Sequence, residues 1–236
     1  MCHSGRVLAL LLPYNYPLNE AESKIGREET QQRRALAKAF GVALKQQAKK
    51  TLWHFSQGVL FREFQGWFIS APAATWLARR KTQIELHCKP MALDPIFWEI
   101  VEAESNASMP LSFRHHGAWT CRTPSLYEHE LSETDPQSIA AAAFAWLEQQ
   151  TEHLKSCSMD RFLQRLRNHP QANAYVATII TTLLMMGDYP SAEALCKDAV
   201  ERGDPAFFSI MYESKPSRTF PELALEWLRR KRQSAH

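Results

Sequence analysis

Between Thr82 and Cys88 the chain alternates without a break. Thr82, Ile84, Leu86 and Cys88 fall on one parity, and Gln83, Glu85 and His87 on the other. Successive strand side chains point to opposite faces, so this pattern specifies a β-strand with one buried face and one wet face. Pro90 ends the strand, because proline cannot donate to a ladder. A half-buried strand needs partners, and the sequence supplies them upstream. Leu52–Phe55, Val59–Phe64 and Trp67–Ser70 are short aromatic or branched runs punctuated by Gln57-Gly58 and Gln65-Gly66, which predicts an antiparallel meander. Leu111 and Phe113, then Ala118 and Trp119 after Gly117, predict a further strand or two.

Helical texture lies on both sides of this region. Residues from about Leu18 to Lys50 read as a helix, with Asn19 as cap and Leu36, Phe40 and Leu44 on one face. Asp94-Pro95 predicts a short helix inside the sheet region, with Asp94 as cap and Pro95 at the first helical position. From Asp135 onward the whole chain reads as helix. Starts and stops are expected at Pro136, at about Met159–Asn168, Ala172–Met186, Pro190–Arg202 and Pro205–Glu213, and finally at Phe220–Arg232, where Thr219 and Glu222 have capping-box spacing. Strands and helices are segregated along the chain, so the expected class is α+β: a small antiparallel sheet flanked by helices, followed by an all-helical C-terminal half. The expected division is residues 1–135 and 136–236, with the polar stretch Glu128–Pro136 as boundary and the two parts packed as one unit.

Composition narrows the function classes. The 45% hydrophobic content supports a packed core. A net charge of +3 falls short of the concentrated basic character of a dedicated nucleic-acid binder. Five scattered cysteines, with no Cys-x-x-Cys pair, argue against a disulfide framework and for a reducing cytoplasm. The apolar run Val7–Leu12 is cut by Pro13. It is too short for a membrane helix and lacks a following small-residue cleavage site, so it predicts an initial strand or packed arm.

Two stretches carry resemblances. Met186-Gly187-Asp188-Tyr189-Pro190-Ser191-Ala192, followed by Ala199 and Pro205, resembles the turn and second helix of a tetratricopeptide repeat, over roughly residues 175–205. The first-helix Trp-x-x-Leu signature is missing, so the resemblance implies one helical hairpin, and where it does more, docking of a peptide or protein. The Trp-rich sheet region, with Lys89-Pro90-Met91-Ala92-Leu93-Asp94-Pro95-Ile96-Phe97-Trp98 and a helical tail, is similar to small bacterial α+β proteins. Some of these are encoded beside secreted toxins and act as immunity proteins.

Catalytic patterns are weak by comparison. His87, Cys88, His115, His116, Cys121 and His129 are ligand types, but they lack zinc-site spacing, and adjacent strand residues point apart. Cys88 or Cys121 with His115 or His116 would make a thiol–imidazole pair, without the turn that presents a nucleophile. Glu99, Glu102 and Glu104 form an acidic helix end suited to solvent or to a basic partner. No phosphate cradle is present, so no nucleotide cofactor is expected, and neither is any other cofactor or metal. Arg79, Arg80 and Lys81, the run Arg229–Arg232, and Trp53, Phe61 and Trp67 are the groups that nucleic acid would use.

The constellation best suited to recognition is Lys89, Asp94, Trp98, Arg114, His115, His116, Trp119 and Arg122, because Trp and Arg are the residues that anchor interfaces. The expected function is that of a non-enzymatic bacterial protein that binds another protein, an immunity protein occluding a toxin being its specific form. A nucleic-acid-associated regulator is the alternative reading, and an enzyme with an unrecognised site is a third. No membrane partner is expected.

Overall fold

The computed structural model describes residues 8–9, 27–76, 81–116, 119–132, 135–206, 208–212 and 215–234. In chain order the first elements are β1 (Leu8–Ala9), α1 (Arg27–Ala48), β2 (His54–Ser56), β3 (Val59–Phe64), β4 (Trp67–Trp76), β5 (Lys81–Pro90), α2 (Leu93–Ile100) and the short α3 (Phe113–His116). Then come β6 (Tyr127–Leu131), α4 (Pro136–His153), α5 (Met159–Asn168), α6 (Val176–Met185), α7 (Tyr189–Glu201), β7 (Ser209–Tyr212), β8 (Lys215–Thr219) and α8 (Phe220–Ser234). The class is α+β. Among the described residues, no helix is long and apolar enough to cross a membrane.

The chain forms two compact units whose segments interleave in sequence. The sheet unit takes Tyr14–Lys89 and Ser125–Cys157; the helical unit takes Met1–Pro13, Pro90–Pro124 and Ser158–His236. The stretch Glu128–Pro136 lies within the sheet unit.

The sheet unit carries the order β2-β3-β4-β5-β6. Both hairpins of the expected meander are present, with Ser56 opposite Val59 and Phe64 opposite Trp67. Gln57 and Gly58 (φ 49° and 81°) and Gln65 and Gly66 (φ 50° and 79°) form the two-residue loops. Positive φ at both central positions is the twist-matched hairpin geometry, and glycine supplies it at the second position without a Cβ penalty. In β5 the even parity Thr82, Ile84, Leu86 and Cys88 is buried, and the odd parity Gln83, Glu85 and His87 is half-buried. Phe40, Ala43, Leu44 and Ala48 of α1 and Ile139, Ala143 and Leu147 of α4 form the apolar stripes of the two packed helices. One polar staple joins α4 to the sheet. Arg62 of β3 is 6% exposed and donates to both Glu148 oxygens at 3.3 Å, and Trp53 Nε1 donates to Glu148 Oε1 at 2.7 Å. The Arg62 guanidinium lies 4.6 Å from the Trp53 ring centre and 5.2 Å from that of Phe64, so the charge is held by rings as well as by a carboxylate.

The helical unit buries the rings of Phe97, Phe208 and Phe220 together, at 5.3 Å for the first pair and 5.0 Å between Phe97 and Phe220. The α6–α7 hairpin expected from the tetratricopeptide-like stretch is present. Ala192, Cys196 and Ala199 are fully buried, as close helix contact requires. Gly187 at φ 78° closes α6, with Asp188 N–H donating to Leu183 O at 2.9 Å. β1 pairs with β7, and β7 with β8, in a three-stranded sheet.

Four local expectations are corrected. Tyr127–Leu131, expected as part of a polar stretch, is a strand paired along β5; Leu131 is its buried residue, and His129 stacks on Trp146 of α4 at 5.3 Å. Residues 111–116 form a turn and α3 rather than a strand, with Phe113 N–H donating to Pro110 O at 2.8 Å. Among the described residues, the helix expected over 205–213 does not form. Ala206 has φ 53°, held by the Asp204 carboxylate accepting its N–H at 2.8 Å, and Ser209–Tyr212 is a strand. Finally, the residue before α2 is Ala92, with no side-chain cap, and Asp94 lies inside the first turn. The expected start of the first helix, Asn19 included, lies outside the described residues.

Candidate functional site

The structure separates the eight residues of the recognition constellation. Asp94 is 0% exposed. Its Oδ1 accepts the Cys121 N–H at 3.0 Å and its Oδ2 accepts from Arg114 Nη1 at 3.0 Å, which explains why it is drawn inward instead of capping α2. Arg114 Nη1 also donates to Met91 O at 2.9 Å, and the guanidinium lies 5.2 Å from the Trp98 ring centre. The Trp98 indole donates to Trp119 O at 2.5 Å. Asp94, Arg114, Trp98 and Trp119 therefore form one network within the helical unit. The Arg122 carbonyl accepts from Thr178 Oγ1 of α6 at 2.6 Å, apart from this network. His115 is half-buried in α3. His116 is in the same helix, and its side chain lies outside the described residues. Lys89 belongs to the sheet unit, where it is 3% exposed with its ammonium 5.6 Å from the Phe68 ring centre. As placed, Lys89, Asp94 and Trp98 are interior groups that organise their surroundings and present no surface to a partner.

A different set of residues does form a concave surface. In the helical unit, Glu99 of α2, Glu104 in the 3-10 turn Glu104–Ser108, and Trp227, Arg230, Lys231 and Ser234 of α8 line a cleft of about 240 Å³. Its geometry follows from two helix ends. α2 stops in a Schellman closure, with Ala103 N–H donating to Trp98 O at 2.8 Å and Glu102 at φ 56°. This turns the acidic stretch back over α8. α8 is started by the Glu222 carboxylate, which accepts the Thr219 N–H at 2.7 Å and the Thr219 hydroxyl at 2.9 Å, the expected spacing fulfilled by the Glu side.

Two ion pairs lie at the cleft. Lys231 Nζ lies 2.8 Å from Glu99 Oε1 and 5.0 Å from the Trp227 ring centre. Arg230 Nη1 lies 3.3 Å from Glu102 Oε1. Beside the cleft, Arg232 pairs with Glu193 of α7, which also holds Lys197 at 2.9 Å. Glu193 is held below the usual carboxylate range by the hydrogen bond from Lys197, then by that from Arg232. Trp227 is 6% exposed, and its buried indole N–H has no acceptor among the described residues. The sequence flagged the acidic trio and the basic run separately. What it did not show is that the two meet, or that Trp227 lines the same cleft. The one local trace of it is the spacing of Trp227 and Lys231, four apart on one helix face.

The remaining chemistry-bearing groups are occupied otherwise. Cys196 is packed between helices, and burial, then Glu193, pushes its thiol up to about 12, the state of an inert side chain. Cys88 and Cys121 are buried, at 3% and 4% exposed. His87 lies 3.3 Å from Glu85, and His129 is stacked on Trp146. Ser234 Oγ donates to Arg230 O at 3.0 Å, a helix-terminal bond rather than an activated hydroxyl. Among the described residues, no group of three or more His, Cys, Asp or Glu is placed to hold one metal ion. Arg79 and Arg80 lie outside the described residues, as does the Lys81 side chain. No protein-family model matches the chain, and no curated protein or solved structure matches it.

Proposed function

We propose that this chain works by binding another protein rather than by catalysing a reaction, and that in its specific form it is a bacterial cytoplasmic immunity protein that occludes a toxin. The observation that carries this reading is the Trp227 cleft. It combines a tryptophan wall, an arginine, and exposed charges of both signs drawn from α2 and α8. Tryptophan and arginine are the residue types on which interface energy concentrates, and mixed charge sets register and encounter rate. The ion pairs at the cleft are solvent-exposed, with side-chain exposures of 41–52%, so exchanging them for partner groups costs little. The carboxylates of Glu99, Glu102 and Glu193 beside Lys231, Arg230 and Arg232 would repel a phosphate backbone, which argues against the nucleic-acid reading.

The test is to purify the tagged full-length chain from its host with nuclease present and to rebuild the recovered complex from purified components. A 1:1 protein complex that weakens about tenfold or more on joint Glu99→Lys and Glu104→Lys reversal is the expected result. Growth restored by co-expression with the partner would establish toxin neutralisation. Recovery of the chain alone, or of nucleic acid with steep salt dependence, would overturn the reading.

A further inference from the structure

Resting on the protein-binding reading, we infer that the cleft between α2 and α8 is a receptor for a cationic side chain, a lysine or arginine of the partner, and that Lys231 is the chain's own stand-in for that group. The Lys231 ammonium occupies the position such a ligand would take. It faces the Trp227 ring at 5.0 Å and the Glu99 carboxylate at 2.8 Å, the two contacts by which proteins recognise ammonium and guanidinium groups. The local charge is unbalanced in the sense a cation requires. Glu99, Glu102 and Glu104 face Arg230 and Lys231. Glu99 and Glu102 are engaged, while Glu104, exposed on the cleft wall, has no ion-pair partner among the described residues. A second cation entering the cleft would meet the Glu104 carboxylate at once and would take over Glu99 and the ring once Lys231 swings out.

Lys231 is suited to yielding. Its side chain is 50% exposed on the last turns of α8, a long flexible stem in water. An exposed pair of this kind holds its place only weakly. The cleft's volume of about 240 Å³ accommodates one long side chain rather than a folded surface, so the partner would present a single protruding residue. An anionic guest would have to break both ion pairs to reach Arg230 or Lys231 and would then lie beside Glu104.

The experiment titrates the full-length chain with N-acetyl, C-amidated Gly-Lys-Gly and, separately, Gly-Glu-Gly. The readout is the Trp227 indole N–H signal in two-dimensional NMR, assigned with Trp227→Phe. The lysine peptide is expected to shift this signal saturably and the glutamate peptide to leave it in place. Lys231→Ala should tighten the lysine peptide about fivefold by removing the internal competitor, and joint Glu99→Gln and Glu104→Gln should weaken it about tenfold. No shift from the lysine peptide in either the native chain or Lys231→Ala overturns the inference, as does an equal shift from the glutamate peptide. The wider reading fails separately. A reconstituted partner that binds the Glu99→Gln, Glu104→Gln variant undiminished leaves protein binding intact and sinks the cleft, whereas lysine-peptide binding with no protein partner upholds the cleft and sinks the protein-binding reading.

Discussion

Glu102 stands where the chain elsewhere uses glycine. α6 and α7 close with Gly187 at φ 78° and Gly203 at φ 67°, each with the same six-residue backbone closure, and α2 closes on Glu102 at φ 56°. A side chain in the left-handed region carries a steric cost that glycine avoids. Glu102→Gly is therefore expected to be more stable than Glu102→Ala by about 1 kcal/mol in urea denaturation, since both lose the Arg230 pair and only the first relieves the backbone. Equal stabilities would show that the closure is unstrained. Asp94 is the opposite case, a charge whose surroundings hold it. Removing it leaves Arg114 partly buried without its carboxylate and the Cys121 N–H without its acceptor. Asp94→Ala is expected to cost about 3 kcal/mol, read as a fall in the urea midpoint at unchanged slope. A loss below about 1 kcal/mol would mean that the network is dispensable.

At the scale of elements, helix ends and inter-helix pairs set the acid response. Asp135 and Asp188 cap α4 and α7. Their carboxyls are held low by Ser138, chiefly its backbone N–H, and by Ser191, chiefly its side chain. Glu226 is lowered by its bond to Arg218, then by Arg218, Arg230 and Arg229 as charges, and Glu193 by Lys197 and Arg232. In each case the folded value lies below that of the unfolded chain, so the folded state favours the charged form. The stabilisation is complete above the ordinary carboxylate values of about 4 and is lost as pH falls through the depressed ones. The melting temperature is expected to hold from pH 7 to about 5 and to fall progressively below about 4. Joint Asp188→Asn, Glu193→Gln and Glu226→Gln should lower the plateau and flatten the acid limb. An acid limb of unchanged steepness in that variant would place the response elsewhere.

At the scale of the whole molecule, each unit is assembled from separated segments. The sheet unit draws α4 from beyond the helical unit's segment Pro90–Pro124, and the helical unit draws α2 from between two parts of the sheet unit. A fragment of residues 1–135 keeps β2–β6 and loses α4, with the Glu148 carboxylate that holds Arg62 and Trp53. A fragment of residues 136–236 loses α2, whose Phe97 meets Phe208 and Phe220. Neither fragment is expected to give a dispersed amide spectrum or a cooperative thermal transition on its own. Either one folding cooperatively would show that the cut runs between autonomous domains.

Local periodicity and turn chemistry made much of this legible. The Gln-Gly turns, the alternation through β5, the Asp135-Pro136 start of α4, the α6–α7 hairpin and the last helix all follow from interactions between residues a few positions apart, and those determined the α+β class. What failed had distant partners. β6 is a strand because β5 lies beside it, and residues 209–212 pair with β1 and β8 although their own sequence reads as the end of a helix. Asp94 looks like a cap until Arg114 and Cys121, 20 and 27 positions away, draw it inward. The candidate site divides in the same way. The sequence alone supplied an acidic trio and a basic run, each of the right composition for recognition. Only the tertiary structure brought together groups as far apart in sequence as Glu102 and Arg230, 128 positions, beside one cleft that Trp227 also lines, because charge complementarity over that distance leaves no periodic trace in a chain until the chain has folded.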